Sequence, residues 1–126
     1  MAWHLACHCL IAVHVTLYTV LVGKLTLLND SSVHEFDLAR VPYGGHGLPM
    51  SVLDLSLQVG IELNHDCGGS CSCTTCHVEI VSGEENCSPM EEDESDLVAT
   101  VEGATSKYRL GCQCIVKGDI VFRIPV

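Results

Sequence analysis

Four of the nine cysteines have a spacing that suits the sulfur ligands of a metal cluster. Cys67, Cys73 and Cys76 follow the pattern C-x5-C-x2-C, and Cys112 lies 35 residues further along the chain. Three thiolates on one short loop, with a fourth from a distant segment, can enclose a two-iron, two-sulfide cluster in which each iron takes two cysteinates. A protein that holds such a cluster transfers single electrons and needs no catalytic residue.

The loop that carries the first three cysteines is built from small residues. Gly68 and Gly69 lack a Cβ atom, so the backbone can wrap closely around a cluster. Hydroxyls and backbone amides of the remaining residues can donate hydrogen bonds to sulfur, and such donors tune the reduction potential of a cluster. These remaining small residues are Ser70, Ser72, Thr74 and Thr75.

Residues 24–126 resemble the adrenodoxin-type 2Fe-2S ferredoxins of mitochondria and of bacterial iron–sulfur assembly systems. The similarity rests on residues 51–54, 60–62, 67–77, 109–113 and 122–125. Plant-type ferredoxins have C-x4-C-x2-C, so the extra residue here points to the adrenodoxin branch. The resemblance implies an α+β, β-grasp fold: a mixed sheet with a packed helix and a cluster-binding loop. It implies four cluster ligands, Cys67, Cys73, Cys76 and Cys112.

The resemblance also assigns a supporting role to residues around the ligands. His77 follows the third ligand directly, and in the family this histidine ties the cluster loop to the strand before the fourth ligand. Tyr108 and Arg109 are its candidate partners here. Cys71, which lies inside the loop but off the pattern, is interpreted as a thiol that is not a ligand. The same interpretation applies to Cys87 and Cys114, as small buried or surface residues.

Other uses of the cysteines are less well supported. A disulfide framework fits poorly, because the number of cysteines is odd and several lie one residue apart. A structural zinc site usually has two C-x2-C pairs, and a Rieske cluster would use only two cysteines. One alternative class of function stays open. It is a redox-sensing or interaction module that keeps the ferredoxin fold and uses the amino-terminal segment, Cys71, Cys87 and Cys114.

Composition restricts the partners of this chain. Six basic residues stand against 16 acidic ones, for a net charge of -10, which argues against nucleic acid because phosphates attract lysine and arginine. The charge favours partners with a basic surface that are reached by long-range attraction. The many thiols favour a reducing compartment, either the bacterial cytoplasm or the mitochondrial matrix, and no membrane partner is expected.

Half of the acidic residues lie between positions 84 and 102. Such a run is often only a solvated face, but the resemblance implies that it docks a reductase and an electron acceptor. Two acids one turn apart do this in the family. The first corresponds to Asp96 and the second to Ala99, so the sequence departs from the pattern there. The docking residues expected here are Glu92, Asp93, Glu94, Asp96 and Glu102.

The resemblance implies a one-electron carrier rather than an enzyme. A flavin-containing, NAD(P)H-dependent ferredoxin reductase would supply the electrons. They would pass either to iron–sulfur assembly proteins or to a haem-thiolate monooxygenase. The bacterial assembly type shares the 35-residue gap before the fourth ligand, and this favours the first of the two acceptors.

The sequence pattern predicts the elements that must position these residues. Residues 24–28 and 33–38 predict a hairpin, Ser51 predicts the start of a helix that ends at Gly60, and residues 77–81 predict a strand. Residues 93–101 predict a second helix, and residues 115–116 with 120–124 predict a final strand pair.

The chain length predicts one folded domain, assigned to residues 23–126. Residues 1–22 contain no Lys, Arg, Asp or Glu, and their apolar run is short for a membrane span. Three interpretations of this segment stay open. It is an upstream start that is not the natural one, an added apolar strand or interface segment, or an anchor or targeting segment.

Overall fold

A computed structural model describes residues 22–64 and 74–125 of the chain. In order, its elements are β1 (Val22–Leu27), β2 (Ser32–Asp37), α1 (Val52–Gln58), β3 (His77–Ser82), a 3-10 helix (Glu84–Asn86), α2 (Glu92–Val98), β4 (Tyr108–Leu110) and β5 (Ile120–Arg123). The strands form one sheet in the order β2-β1-β5-β3-β4. β1 and β5 are parallel and the other pairs are antiparallel, so the predicted mixed sheet is confirmed.

The predicted amino-terminal hairpin is present, with β1 and β2 paired along their whole length. Its turn is made by residues whose side chains and backbone suit a reversal. The Asp30 side chain accepts a hydrogen bond from the Ser32 amide at 2.9 Å, and Ser31 has a φ of 59°. An aspartate that bonds the backbone two residues on stabilises such a turn.

The helix α1 begins at the predicted cap and ends before the predicted glycine. The Ser51 hydroxyl accepts a hydrogen bond from the Asp54 amide at 3.1 Å, which satisfies one of the amides left open at a helix start. Gly60 has a φ of 82°, a conformation that glycine adopts without strain. All residues from Val52 to Ser56 are buried, so this helix lies inside the fold rather than on its surface.

The predicted pairing of residues 115–116 with 120–124 is wrong. β5 lies between β1 and β3 and forms its hydrogen bonds with them, so neither of its edges is available to another strand. Ile115 bridges to Ser51 instead, and Val116 bridges to Cys87. The segment after the fourth predicted ligand is therefore held by the α1 start and by the residues that follow β3.

One hydrophobic cluster joins the helix α1 to the sheet. It includes fully buried side chains of α1 and of strands β3, β4 and β5, among them Leu53, Leu55, Ile80, Leu110 and Phe122. Complete burial of such a side chain stabilises a fold by about 1.5–3 kcal/mol, so these contacts fix the helix against the sheet. In the described ranges, every helix is too short or too polar to cross a membrane.

Candidate metal centre

The β3–β4 ladder brings two of the predicted ligands to the same end of the sheet. Cys76 immediately precedes β3, and Cys112 follows β4 after one residue. The strands are antiparallel, with His77 opposite Leu110, and the Gly111 amide extends the ladder by donating to the Cys76 carbonyl at 2.9 Å. In an antiparallel pair the start of one strand lies beside the end of the other. Both cysteines therefore lie at the same end of the sheet, and both are fully buried.

The environment of these two sulfurs fits thiolate ligands of a cluster. The Cys112 amide donates to the Cys76 sulfur at 3.4 Å, and the side-chain amide of Gln113 donates to the Cys112 sulfur at 3.5 Å. Hydrogen bonds of this kind stabilise negative charge on sulfur and tune cluster potentials. These N–H donors therefore agree with a cluster held by cysteinates whose sulfurs are buried from solvent.

The residues around Cys112 are fixed through their carbonyl groups. The carbonyls of Gly111 and Cys114 accept hydrogen bonds from Leu53 and Val52, the first amides of α1, each at 2.9 Å. The Cys112 carbonyl accepts from Leu48 at 2.9 Å. Amides at a helix start have no partner within the helix, and here they hold the segment that carries the fourth predicted ligand.

A buried carboxylate shapes the loop that covers this segment. Asp54 is fully buried and accepts hydrogen bonds from the amides of Gly44 and His46, at 3.0–3.2 Å, and from the Gln58 side chain at 2.9 Å. Within the described residues, Asp54 forms no ion pair. Its charge is balanced by these donors alone, as buried charges require.

The same loop closes directly onto Cys112 through Gly47. A Cβ atom at Gly47 would lie 2.8 Å from the Cα atom of Cys112, and the φ of Gly47 is 69°. The Tyr43 hydroxyl donates to the Gly47 carbonyl. Only glycine combines this conformation with so close an approach, so the loop packs directly on Cys112, where any side chain at position 47 would clash.

In the structure His77 contacts the end of the predicted cluster loop and the strand before Cys112. Of its two candidate partners, it contacts Tyr108. Its Nδ1 donates to the Thr74 carbonyl at 2.7 Å, which holds the described end of the predicted cluster loop. Its ring stacks on Tyr108, with the ring centroids 5.9 Å apart. The guanidinium of Arg109 turns elsewhere, so it does not act through His77.

Arg109 joins β4 to α2 through a buried ion pair. Its guanidinium donates to both oxygens of Glu94, at 2.6 and 3.0 Å, and to the Ser88 carbonyl at 2.7 Å. The Leu110 amide donates to the same carboxylate at 3.0 Å. Burial is the largest single effect on the pKa of Arg109 and would lower it, but the hydrogen bond to Glu94 and the attraction of Glu94, Cys114 and Cys87 together raise that pKa.

Glu94 is therefore not a docking residue, and that expectation is corrected. Its side chain is only 2% exposed, since the helix turns it inward to meet Arg109, and a partner protein cannot reach it. The other four expected docking residues are exposed. Glu92, Asp93 and Asp96 belong to α2, and Glu102 follows it.

Ser88, Gln113 and Asp54 also contribute to this site, and the sequence did not single them out for it. The Ser88 hydroxyl accepts from the Ile115 amide at 3.0 Å and donates to the Gln113 carbonyl at 3.4 Å. No local pattern signals such contacts between distant segments. Asp54 lies within residues 51–54, which carry the family resemblance, but nothing in that stretch indicated that its carboxylate binds a distant loop.

Several predictions lie outside the described residues. They concern the predicted ligands Cys67 and Cys73, the thiol of Cys71 and the segment before residue 22. Within the described ranges there is no group of three metal-ligating side chains. The complete ligand set remains a prediction.

Comparison with known proteins identifies the family. The family model of the 2Fe-2S iron–sulfur cluster binding domain matches residues 48–117, which include the α1 start, Cys76, Cys112 and the predicted loop. The chain belongs to the 2Fe-2S ferredoxins. A 2Fe-2S ferredoxin of Pseudomonas aeruginosa is 41% identical over 76 residues, which cover 60% of this chain and 68% of that protein.

The adrenodoxin-type resemblance of this ferredoxin is confirmed. A mitochondrial adrenodoxin homolog of Saccharomyces cerevisiae is 37% identical over 71 residues, 56% of this chain and 41% of that protein. An ISC-like 2Fe-2S ferredoxin of Pseudomonas putida has a TM-score of 0.63 at 27% identity, over 82% of this chain and 92% of that one.

Putidaredoxin also resembles this ferredoxin, and it has been solved in covalent complex with putidaredoxin reductase. In that complex it has a TM-score of 0.60 at 27% identity, over 82% of this chain and 98% of the other. These matches confirm the predicted β-grasp fold and the 2Fe-2S cofactor. The protein is a 2Fe-2S electron carrier.

Proposed function

We propose that Cys67, Cys73, Cys76 and Cys112 hold the cluster, and that a flavin-containing, NAD(P)H-dependent reductase supplies its electrons. The ligand assignment rests on one observation: Cys76 and Cys112 lie together at one end of the sheet. Both are fully buried, and an N–H group donates to each sulfur. The spacing of Cys67 and Cys73 supplies the other two ligands.

The described residues do three things for a bound cluster, which itself gains and loses one electron at a time. The loop at Gly47 packs against Cys112, which is fully buried. The amides of Cys112 and Gln113 stabilise negative charge on sulfur. His77 fixes the end of the ligand loop through Thr74. Each of these contacts favours a cluster that stays in place while its charge changes.

The exposed acids of α2 are proposed as the docking surface. Glu92, Asp93 and Asp96 face solvent with no basic residue in the last turn of the helix, and Glu102 extends this charge. Such a surface attracts a basic partner over a distance and releases it quickly, as a carrier must. The Glu94–Arg109 pair connects the same helix to β4, so partners would dock close to the fourth ligand.

Two electron acceptors are compatible with this arrangement, and iron–sulfur assembly proteins are favoured over a haem-thiolate monooxygenase. The 35-residue gap before Cys112 supports the first, as does the similarity to a ferredoxin described as ISC-like. Stopped-flow oxidation of the reduced protein by each class of acceptor would decide. Faster oxidation by the monooxygenase would reverse the preference. A role in assembly would place the protein in the bacterial cytoplasm or the mitochondrial matrix. The domain that performs it is proposed to be residues 23–126, whether or not the amino-terminal segment is retained.

Ligand assignment is tested by spectroscopy of the purified protein before and after reduction by dithionite. The wild type should contain about two irons per chain and give an S = 1/2 EPR signal only when reduced. Cys112→Ser should alter or abolish that spectrum. Cys114→Ser is the matched control two residues away, and it should retain it. An unchanged spectrum in Cys112→Ser would remove Cys112 from the ligand set.

Docking is tested by charge reversal on α2, with putidaredoxin reductase as the probe. Asp96→Lys should lower kcat/KM severalfold at low salt and weaken its dependence on ionic strength. Glu35→Lys makes the same charge change on β2, at the opposite edge of the sheet from β4. Equal effects of the two substitutions would show that net charge, and not this surface, governs the encounter.

A further inference from the structure

A second pair of cysteines lies apart from the proposed ligands. Cys87 follows the 3-10 helix and Cys114 follows the fourth ligand by two residues. The Cys87–Val116 bridge brings their segments together, and the Ser88 amide donates a hydrogen bond to the Ile115 carbonyl at 2.9 Å. The Cys114 thiol lies near enough to the Cys87 sulfur to influence its pKa. Both are free thiols.

The two thiols differ in access to solvent. Cys114 is fully buried, whereas Cys87 is half-buried and forms part of the wall of an open cavity of about 240 Å³. Ile80, Pro89 and Met90 give this cavity an apolar side, and Lys107 stands at it paired with Glu84 at 3.3 Å. A small molecule can therefore reach Cys87 but not Cys114.

The surroundings of Cys87 favour its thiolate. The neighbouring Cys114 thiol lowers the pKa of Cys87, and the Arg109 guanidinium, which lines the same cavity, lowers it further, against the opposing effects of burial, Glu84 and Glu85. The Cys87 thiol also donates a long hydrogen bond to the Gly83 carbonyl at 3.7 Å, a contact that favours the protonated thiol and opposes these effects. A thiolate that is partly exposed beside a cation is the reactive form of cysteine.

We propose that Cys87 is a redox-modification site, where its sulfur attacks a low-molecular-weight disulfide that enters the cavity. In this step a bond forms between the Cys87 sulfur and one sulfur of the reagent, the S–S bond of the reagent breaks, and the other half leaves as a thiolate. The reagent is reduced as Cys87 is oxidised, so no further oxidant is required. The product is a mixed disulfide on Cys87.

The strand register argues against an internal disulfide as the product. Cys87 lies opposite Val116, and Cys114 is displaced from that pair by two residues. Diagonal neighbours of this kind have Cα atoms roughly 7–8 Å apart. Disulfides usually need a Cα separation of about 4.4–6.8 Å. The two thiols are therefore neighbours that are not placed for a covalent bridge.

Modification of Cys87 would act on the site through its neighbour Ser88. The Ser88 carbonyl accepts from Arg109 at 2.7 Å, and its hydroxyl contacts the segment that follows Cys112. A group added at Cys87 would displace this residue, and with it the link between α2 and the fourth ligand. This consequence rests on the proposed function, whereas the modification itself does not.

The site is tested by incubating the cluster-loaded protein with oxidised glutathione and mapping the adducts by peptide mass spectrometry. One glutathionyl group should appear on Cys87 and be removed by dithiothreitol, and Cys87→Ser should lose it. A Cys87–Cys114 disulfide, or modification confined to other cysteines, would overturn the proposal. Because this readout is a mass, it does not depend on docking or on the ligand assignment.

The role of Cys114 is tested by the pH dependence of the alkylation of Cys87 by iodoacetamide. A lowered pKa means that the rate rises with pH and levels off at a lower pH than for an ordinary cysteine. Cys114→Ala should raise the apparent pKa of Cys87 that is read from this profile. At a pH below that pKa, each unit of increase lowers the alkylation rate about tenfold. An unchanged profile would show that Cys114 does not activate Cys87. The charged groups whose effects the profile combines are Glu84, Glu85, Lys107 and Arg109.

The functional consequence is measured on the glutathionylated protein. Its reduction by putidaredoxin reductase should be slower than that of the unmodified protein, and dithiothreitol should restore the rate. Cys87→Ser treated in the same way is the control and should not change. An unchanged rate in the fully modified protein would leave Cys87 as a modification site and refute its link to electron transfer.

Discussion

Two buried carboxylates, Asp54 on α1 and Glu94 on α2, accept hydrogen bonds from different kinds of donor. Asp54 of α1 accepts hydrogen bonds from the amides of a loop and from Gln58. Glu94 of α2 accepts from a buried guanidinium and from the Leu110 amide. The first organises a cover over the predicted ligand, and the second fastens the proposed docking helix to the sheet.

The difference shows why acids close in sequence have different functions. Glu94 lies among exposed acids on α2, and only its position on the inner face of the helix sets it apart. A buried ion pair contributes strongly to order because removal of either partner leaves an uncompensated charge. Exposed charges are solvated and cost little to change. The helix can thus present a variable charged face while remaining fixed in place.

Arg109→Ala is expected to have the largest effect on stability. It leaves the Glu94 carboxylate buried without its guanidinium, and it removes the donor to the Ser88 carbonyl. Loss of one partner of a buried ion pair costs about 3–5 kcal/mol. Anaerobic denaturant titration of the loaded protein, followed by circular dichroism, measures this. A loss below about 1 kcal/mol would mean that Glu94 and Arg109 behave like an exposed ion pair rather than a buried one.

Asp54→Ala should be the next most damaging change. The amides of Gly44 and His46 lose their acceptor, and the loop over Cys112 loses its support. Hydrogen bonds to charged groups contribute roughly 1.5–3 kcal/mol, so a loss of about 2–3 kcal/mol is expected. Iron release to a chelator should also be faster than in the wild type. Asp37→Ala, at an exposed aspartate in β2, is the control and should leave iron release unchanged.

Removal of the exposed ion pair between Arg123 and Glu79 should cost much less. The two side chains are 46% and 19% exposed and their closest atoms are 2.8 Å apart. Partly exposed pairs contribute about 0.2–1 kcal/mol and weaken with salt. Arg123→Ala should therefore lower the unfolding free energy within that range, and the loss should shrink at high ionic strength. An effect as large as that of Arg109→Ala would contradict the distinction between buried and exposed pairs.

Asp96→Asn should have the smallest effect on stability and a measurable one on electron transfer. Its side chain is exposed, so the unfolding free energy should change by less than about 0.5 kcal/mol. The rate of reduction by putidaredoxin reductase should fall at low salt because one docking charge is lost. Glu94→Gln provides the contrast, since it should destabilise the fold. If Asp96→Asn destabilised the protein equally, the two faces of α2 would not be distinct.

Much of the fold follows from local sequence patterns. The hairpin before residue 38, the cap at Ser51, the stop at Gly60 and the strand after Cys76 were all predicted, because turns, caps and alternation depend on neighbouring residues. The strand pair at residues 115–124 was not, since β5 is held by β1 and β3. Pairing between distant strands depends on which edges remain available, and no local pattern contains that information.

The sequence by itself determined the chemistry of this protein. Cysteine spacing predicted the cofactor, and the excess of acids predicted the kind of partner, because both depend only on residue type and position. Only the tertiary structure decided which acids are available and which thiols meet. It buried Glu94 against Arg109, turned Asp54 towards a loop, and placed Cys87 beside Cys114. The physical reason is that burial and contact between distant segments are properties of packing.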